Sequence, residues 1–137
     1  MSYETKELVN KLGKLGDRLH LNREQAQKQL ETTVLPKILA ADEATNKNSM
    51  LIIIDVLKLM FSSSSWEHRF GAITGSCLLA KHFYEPGTED PDLKYFFWNF
   101  VRGEQVHKLL VDSEFRVRNQ LGELLKEMIK ADLQKGV

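Results

Sequence analysis

The sequence predicts an all-α protein of about six helices paired into three hairpins, and three observations carry that expectation. Apolar residues recur at steps of three and four through most of the 137-residue chain. No stretch alternates with a period of two for long enough to demand a strand. A polar corner followed by an amphipathic helix occurs at Ser63 and again at Asp112. A composition of 42% hydrophobic and 28% charged residues supplies a core for one domain, expected to span 1–137, or for a few units of a repeat array.

The first helix is read from Lys6 to about His20, where Leu8, Leu12, Leu15 and Leu19 form one stripe. Gly13 and Gly16 each cost about 1 kcal/mol against alanine, so they shorten this helix or admit a close neighbour. Asn22 and Gln25 have capping-pair spacing and start a second helix, with Ala26, Leu30, Val34 and Ile38 on its apolar face. Pro36, lacking an amide proton, is expected to kink or end it near Leu35. Ala40 to Ser49 reads as a polar linker.

The third helix, Met50 to Phe61, is the most apolar run. It is roughly half the length a bilayer requires and carries Asp55 and Lys58, so it is expected inside a protein core. The fourth begins after four serines, with Ser64 or Ser65 and Glu67 as its capping residues. It bears two adjoining stripes: Trp66, Phe70, Ile73, Cys77, Ala80 and Tyr84, then Ala72, Ser76, Leu79 and Phe83. Two stripes imply two neighbours, and Gly71 and Gly75 would let one approach closely. Glu85 to Leu93 is a clear break. A fifth helix then carries Leu93, Phe97, Phe100, Val101 and Leu109. After Asp112-Ser113 a sixth carries Val117, Leu121, Leu124 and Met128, with the adjoining Leu125 and Ile129.

An ungapped offset of 49 residues lays Ser63 on Asp112, Trp66 on Phe115, Arg69 on Arg118, Ala72 on Leu121 and Lys81 on Lys130. Asp112, Val117-Arg118, Leu121 and Leu125 resemble the second helix of a HEAT repeat. That resemblance implies an α-α superhelix in which the corner acid accepts helix-start amides and the arginine meets the corner acid of a neighbouring repeat. Trp66-Glu67-His68-Arg69 with Gly71-Ala72 is similar to helices in the HEAT array of TATA-binding-protein-associated Swi/Snf-class ATPases. The order of elements from about Glu7 to Lys81 is similar to that family's amino-terminal start. The resemblance implies TATA-binding protein as a candidate partner in transcription regulation, and the nucleus as location. It also leaves room for a tubulin-binding or transport and chaperone scaffold. The unit is expected to be free-standing or the amino-terminal part of a longer solenoid.

The residues themselves exclude several function classes. Lysine plus arginine equals aspartate plus glutamate at 19 each, so no one-signed field draws the chain to nucleic acid or an anionic membrane. Cys77 is the single cysteine, which removes internal disulfides and cysteine-rich zinc patterns, and its apolar stripe is expected to hide the thiol and raise its pKa. A polar start without a secretory signal leads to a nuclear or cytoplasmic expectation.

Glu104 and His107 form one Glu-x-x-His, half of a di-iron constellation, and keep a helical-bundle metalloprotein as an alternative. The serine run lacks both a placed base and a glycine-lysine phosphate loop, so it is punctuation. The expectation is a non-catalytic protein-binding scaffold with no cofactor, no metal and no small-molecule substrate. Candidate partner-binding residues are Arg116 and Arg118, Arg69 as an alternative to its ladder role, and Tyr95 and Trp98 as surplus aromatic surface.

Overall fold

A computed structural model describes residues 3–39, 43–84 and 97–134, and all the regular structure among them is helical. Helix α1 spans Tyr3–Lys14 and buries Leu8 and Leu12. It stops six residues short of the expected end. Its last turn tightens through bonds such as Gly16 N–H to the Gly13 carbonyl, and Asp17 Oδ1 accepts the Leu19 amide at 2.8 Å. Asp17 therefore organises the corner, and the Asn22–Gln25 capping pair does not form. Asn22 lies inside α2 (His20–Gln29) and donates to Asp17 Oδ1.

Pro36 does not end this second helix. A π-helical stretch, Leu30–Val34, precedes it, with the Leu35 amide bonded to the Leu30 carbonyl five residues back. The widened turn leads into α3, Leu35–Leu39, which contains the proline. Helix α4 covers Glu43–Phe61, so residues expected as a polar linker form its first turns. It buries Met50, Ile53, Leu57 and Phe61, and no helix among the described residues is long and apolar enough to cross a membrane.

Helix α5, Trp66–Tyr84, is the centre of the molecule: every residue from Gly71 to Ala80 is buried. Its polar side chains are satisfied internally, Ser76 Oγ donating to the Ala72 carbonyl at 2.9 Å and Thr74 Oγ1 to the Phe70 carbonyl at 3.1 Å. A Cβ on Gly71 would lie 2.5 Å from both the carbonyl carbon and oxygen of Leu15, so glycine is what lets the first corner rest on this helix. Gly16 makes the reciprocal approach, its Cβ position 2.9 Å from the His68 Cα, whereas Gly13 meets nothing within 4 Å.

The expected fifth helix is divided. Residues 97–101 (α6) end before Gly103, whose backbone is extended, and α7, Glu104–His107, then passes into a 3₁₀ turn, Lys108–Val111. Helix α8, Phe115–Gln134, packs along α5 through Val117, Leu121 and Leu124. Helix α5 contacts both α2 and α8, α4 contacts both α1 and α7, and one apolar cluster of buried residues joins them.

Candidate protein-interaction edge

Three corners of the chain are built alike. At the first, Asp17 Oδ1 accepts the Leu19 amide, and Arg23 Nη1 donates to the Asp17 carbonyl at 2.7 Å. At the second, Ser63 Oγ accepts the Ser65 amide at 3.1 Å, and Arg69 Nη1 donates to the Ser63 carbonyl at 3.0 Å. At the third, Asp112 Oδ1 accepts the Glu114 amide at 3.0 Å, and Arg118 Nη1 donates to the Asp112 carbonyl. Each unit thus has an oxygen-bearing corner residue, an amide two positions on that binds it, and an arginine six positions on that binds its carbonyl. The side chain stops the corner amide from being orphaned as the helix begins, and the arginine ties the first turn back to the corner.

The second and third units are also joined to each other. Arg69 grips Asp112 with both forks, Nε to Oδ2 at 2.7 Å and Nη2 to Oδ1 at 3.0 Å, with side-chain exposures of 15% and 7%. This bidentate pair, with the Ser63 carbonyl on the remaining nitrogen, uses most of the guanidinium's hydrogen-bonding capacity. Arg69 is the chief reason the Asp112 carboxyl is held below the ordinary 3.8, with burial opposing and the Glu114 amide assisting. Gln120 Nε2 adds a bond to Thr74 Oγ1 at 3.1 Å, and the Arg116 guanidinium lies 3.8 Å from the Trp66 ring centre.

The first unit meets the second differently. Ser63 stands where the third unit has Asp112, so no carboxylate awaits Arg23. Its guanidinium lies instead 5.6 Å from the Trp66 ring and 5.7 Å from Phe70, and its Nε is buried with no hydrogen-bond partner. Trp66 thus contacts arginines from both adjacent units and also packs edge-on to Phe70 at 6.0 Å. The start of α5 is set by Ser63 and by Ser65, whose Oγ donates to Glu67 Oε2 at 2.6 Å; Ser64 is exposed. Ser63 Oγ is also 2.8 Å from His68 Nδ1, which distinguishes it from its three neighbouring serines.

The sequence-derived candidates divide on this geometry. Arg69 is committed to Asp112 and offers little to a partner. Trp98 is 6% exposed, tilted against Phe97 with ring centres 5.3 Å apart and approached by Arg102, so it belongs to the core and not to a surplus surface. Tyr95 lies outside the described residues. Arg116 and Arg118 remain on the surface: Arg116 Nε is 2.8 Å from Glu114 Oε1, and Arg118 keeps its bond to the Asp112 carbonyl. Reasoning from sequence missed the apolar neighbours of these arginines, Leu110, Val111 and Phe115, which are 57%, 84% and 57% exposed. Phe115 had been visible as the counterpart of Trp66, and its exposure depends on what covers it.

The remaining chemistry is sparse. Cys77 is buried, and burial pushes its thiol up to about 12. Glu104 and His107 both point into solvent, and among the described residues no group of three His, Cys, Asp or Glu could hold a metal ion. Comparison with protein-family models, with curated proteins and with solved structures found no match to this chain.

Proposed function

We propose that the chain is a non-catalytic protein-binding scaffold assembled from three HEAT-like units. The observation that carries this reading is the Arg69–Asp112 clamp between like corners, because it is the cross-repeat arginine–acid contact that a HEAT resemblance implies. The threefold corner pattern supports it. A stacked array acts through an extended surface and not through a pocket, and its corner edge here presents Arg116 and Arg118 beside exposed apolar side chains. Such a mixture suits a protein partner with an acidic and apolar face.

TATA-binding protein is the first candidate, on the strength of the tryptophan-helix resemblance, and transcription regulation in the nucleus is the setting that goes with it. The test is capture from cell extract on the immobilised chain, run beside a direct binding measurement with purified TATA-binding protein. Charge reversal at Arg116 and Arg118 together is expected to remove the specific partner while the helical signal stays intact. Retention of the same proteins by wild type and variant would refute the corner edge. Absence of direct binding to TATA-binding protein would refute that name alone.

A further inference from the structure

We propose that this chain associates with further copies of itself head to tail, the third corner of one copy docking on the first corner of the next. The step from the second unit to the third supplies the template, because it is fixed by three contacts at defined positions. The arginine six residues past a corner grips the next corner's acid, as Arg69 grips Asp112. The aromatic three past a corner is covered by the residue four past the next, as Trp66 is by Arg116. The residue eleven past a corner bonds the residue eight past the next, as Thr74 does Gln120.

One more step of the same geometry, taken from the third corner, needs an acid, a side chain that covers the Phe115 ring, as Arg116 covers Trp66, and an amide at those three positions. The first corner of a second copy holds them. Arg118 would meet Asp17, Phe115 would meet Leu21, and Glu123 would meet Gln25.

Both sides are open for this. Phe115 is 57% and Leu21 64% exposed, and Gln25 and Arg118 are also on the surface. Asp17 forms no salt bridge among the described residues: its Oδ1 takes the Leu19 amide and the Asn22 side chain, while Asp112, its counterpart, has both oxygens on Arg69. Within one chain the first and second units do not use this register: Ser63 offers Arg23 no carboxylate, and the Leu15–Gly16 corner lies against α5 at Gly71. A contact between different patches leaves a free head and a free tail on every dimer and adds further copies until the rotation between them closes a ring, so the expected product is a series of species and not one two-fold dimer. This assembly goes beyond the scaffold reading and concerns the purified chain alone.

Sedimentation velocity over a concentration series is the measurement. Wild type is expected to show a weight-average mass that climbs continuously with concentration. Asp17→Arg and Arg118→Glu are each expected to weaken association at least about tenfold, and an equimolar mixture of the two to recover a heterodimer, since the intact third corner of one variant then meets the intact first corner of the other. Leu21→Asp and Phe115→Asp, which leave the corner hydrogen bonds in place, are expected to act in the same way if a charge variant misfolds. A chain that stays monomeric throughout overturns the proposal. So does a discrete dimer that Asp17→Arg and Leu21→Asp leave unchanged, which would indicate a two-fold pairing of α8. Retention of a captured protein by the Leu21→Asp variant keeps the scaffold reading separate from this one.

Discussion

Replacing Arg69 with methionine should be among the most damaging single changes available on this surface. The substitution removes two charge-assisted bonds to Asp112 and one to the Ser63 carbonyl, and leaves a carboxylate that is only 7% exposed with the Glu114 amide as its neighbouring donor. Breaking a buried ion pair from one side costs about 3–5 kcal/mol, and the surviving amide bond places this case near about 3 kcal/mol. Against a total of about 5–15 kcal/mol, that is a large fraction. At roughly 3–4 °C per kcal/mol for a domain of this size, the midpoint should fall by about 10 °C.

The assay is thermal and urea unfolding of wild type, Arg69→Met, Asp112→Leu and the double variant. The double variant exchanges the pair for apolar side chains and should recover much of the loss, giving a coupling of about 1.5 kcal/mol or more. Acid supplies a second readout. Because the native Asp112 carboxyl lies below its ordinary 3.8, the unfolded chain takes up the proton first as pH falls. The pair's contribution is therefore complete at neutral pH and is lost progressively from just above pH 3.8 downward through the native value. The gap between wild type and Arg69→Met should narrow over that window. Single variants that cost less than about 1 kcal/mol, or effects additive to within about 0.5 kcal/mol, would refute the clamp.

Three further outcomes are expected. Gly71→Ala should destabilise by about 1–3 kcal/mol or more, because the new methyl would meet backbone atoms of Leu15 that cannot move aside, whereas Gly122→Ala, with nothing within 4 Å, should stabilise by about 0.5–1 kcal/mol; denaturant midpoints check both signs. The Cys77 thiol should resist a thiol-directed reagent at pH 8 in the folded protein and react fully once urea is added, since burial holds it protonated up to about 12; rapid labelling without denaturant would contradict this. Trp66→Ala should lower stability by about 3 kcal/mol through loss of its packing with Phe70, Arg23 and Arg116, and Arg116→Ala, which leaves the ring in place, by under about 1 kcal/mol; the same midpoints measure the difference.

How much of this was legible in the sequence depends on whether the signal was local or relational. The stripes of α5 and α8 were legible, because 3.6-residue periodicity is imposed by burial along one helix. The equivalence of Ser63 with Asp112 and Arg69 with Arg118 was legible as an ungapped offset. The first corner was not. Asp17 and Arg23 stand six apart like their counterparts, but His20 replaces the aromatic and Asn22 the buried Val117, so alignment by side-chain type passes over it. An acid with an arginine six residues on was the signal that could have found it. Helix ends were illegible for another reason: four consecutive serines offer equivalent caps, and Ser63 is distinguished by His68, a contact settled by the helix it helps to start. Trp98 looked like surplus aromatic surface because it exceeds what one apolar stripe needs, yet it is buried beside Phe97, and counting along a stripe does not show burial of a residue outside it.

The corner aromatics show why the surroundings of like corners are read from the interval between them. Trp66 and Phe115 occupy the same place in the same hydrogen-bonded corner, yet one is half-buried and the other is exposed. Within its own unit Trp66 packs against Phe70, where the third unit has Asn119, and Arg23 approaches it from the first unit. The closest cover comes from the next unit: the residue four past the next corner is Arg116, whose guanidinium lies on the ring. Phe115 has the same requirement, and among the described residues no following corner meets it. The exposure of Phe115 and of the Arg118 guanidinium is thus one property, an unfilled stacking position. The filled position shows what completes such a site: a corner carboxylate, as Asp112 is to Arg69, and four residues on, at the start of a helix, a side chain that lies over the ring, as Arg116 does on Trp66.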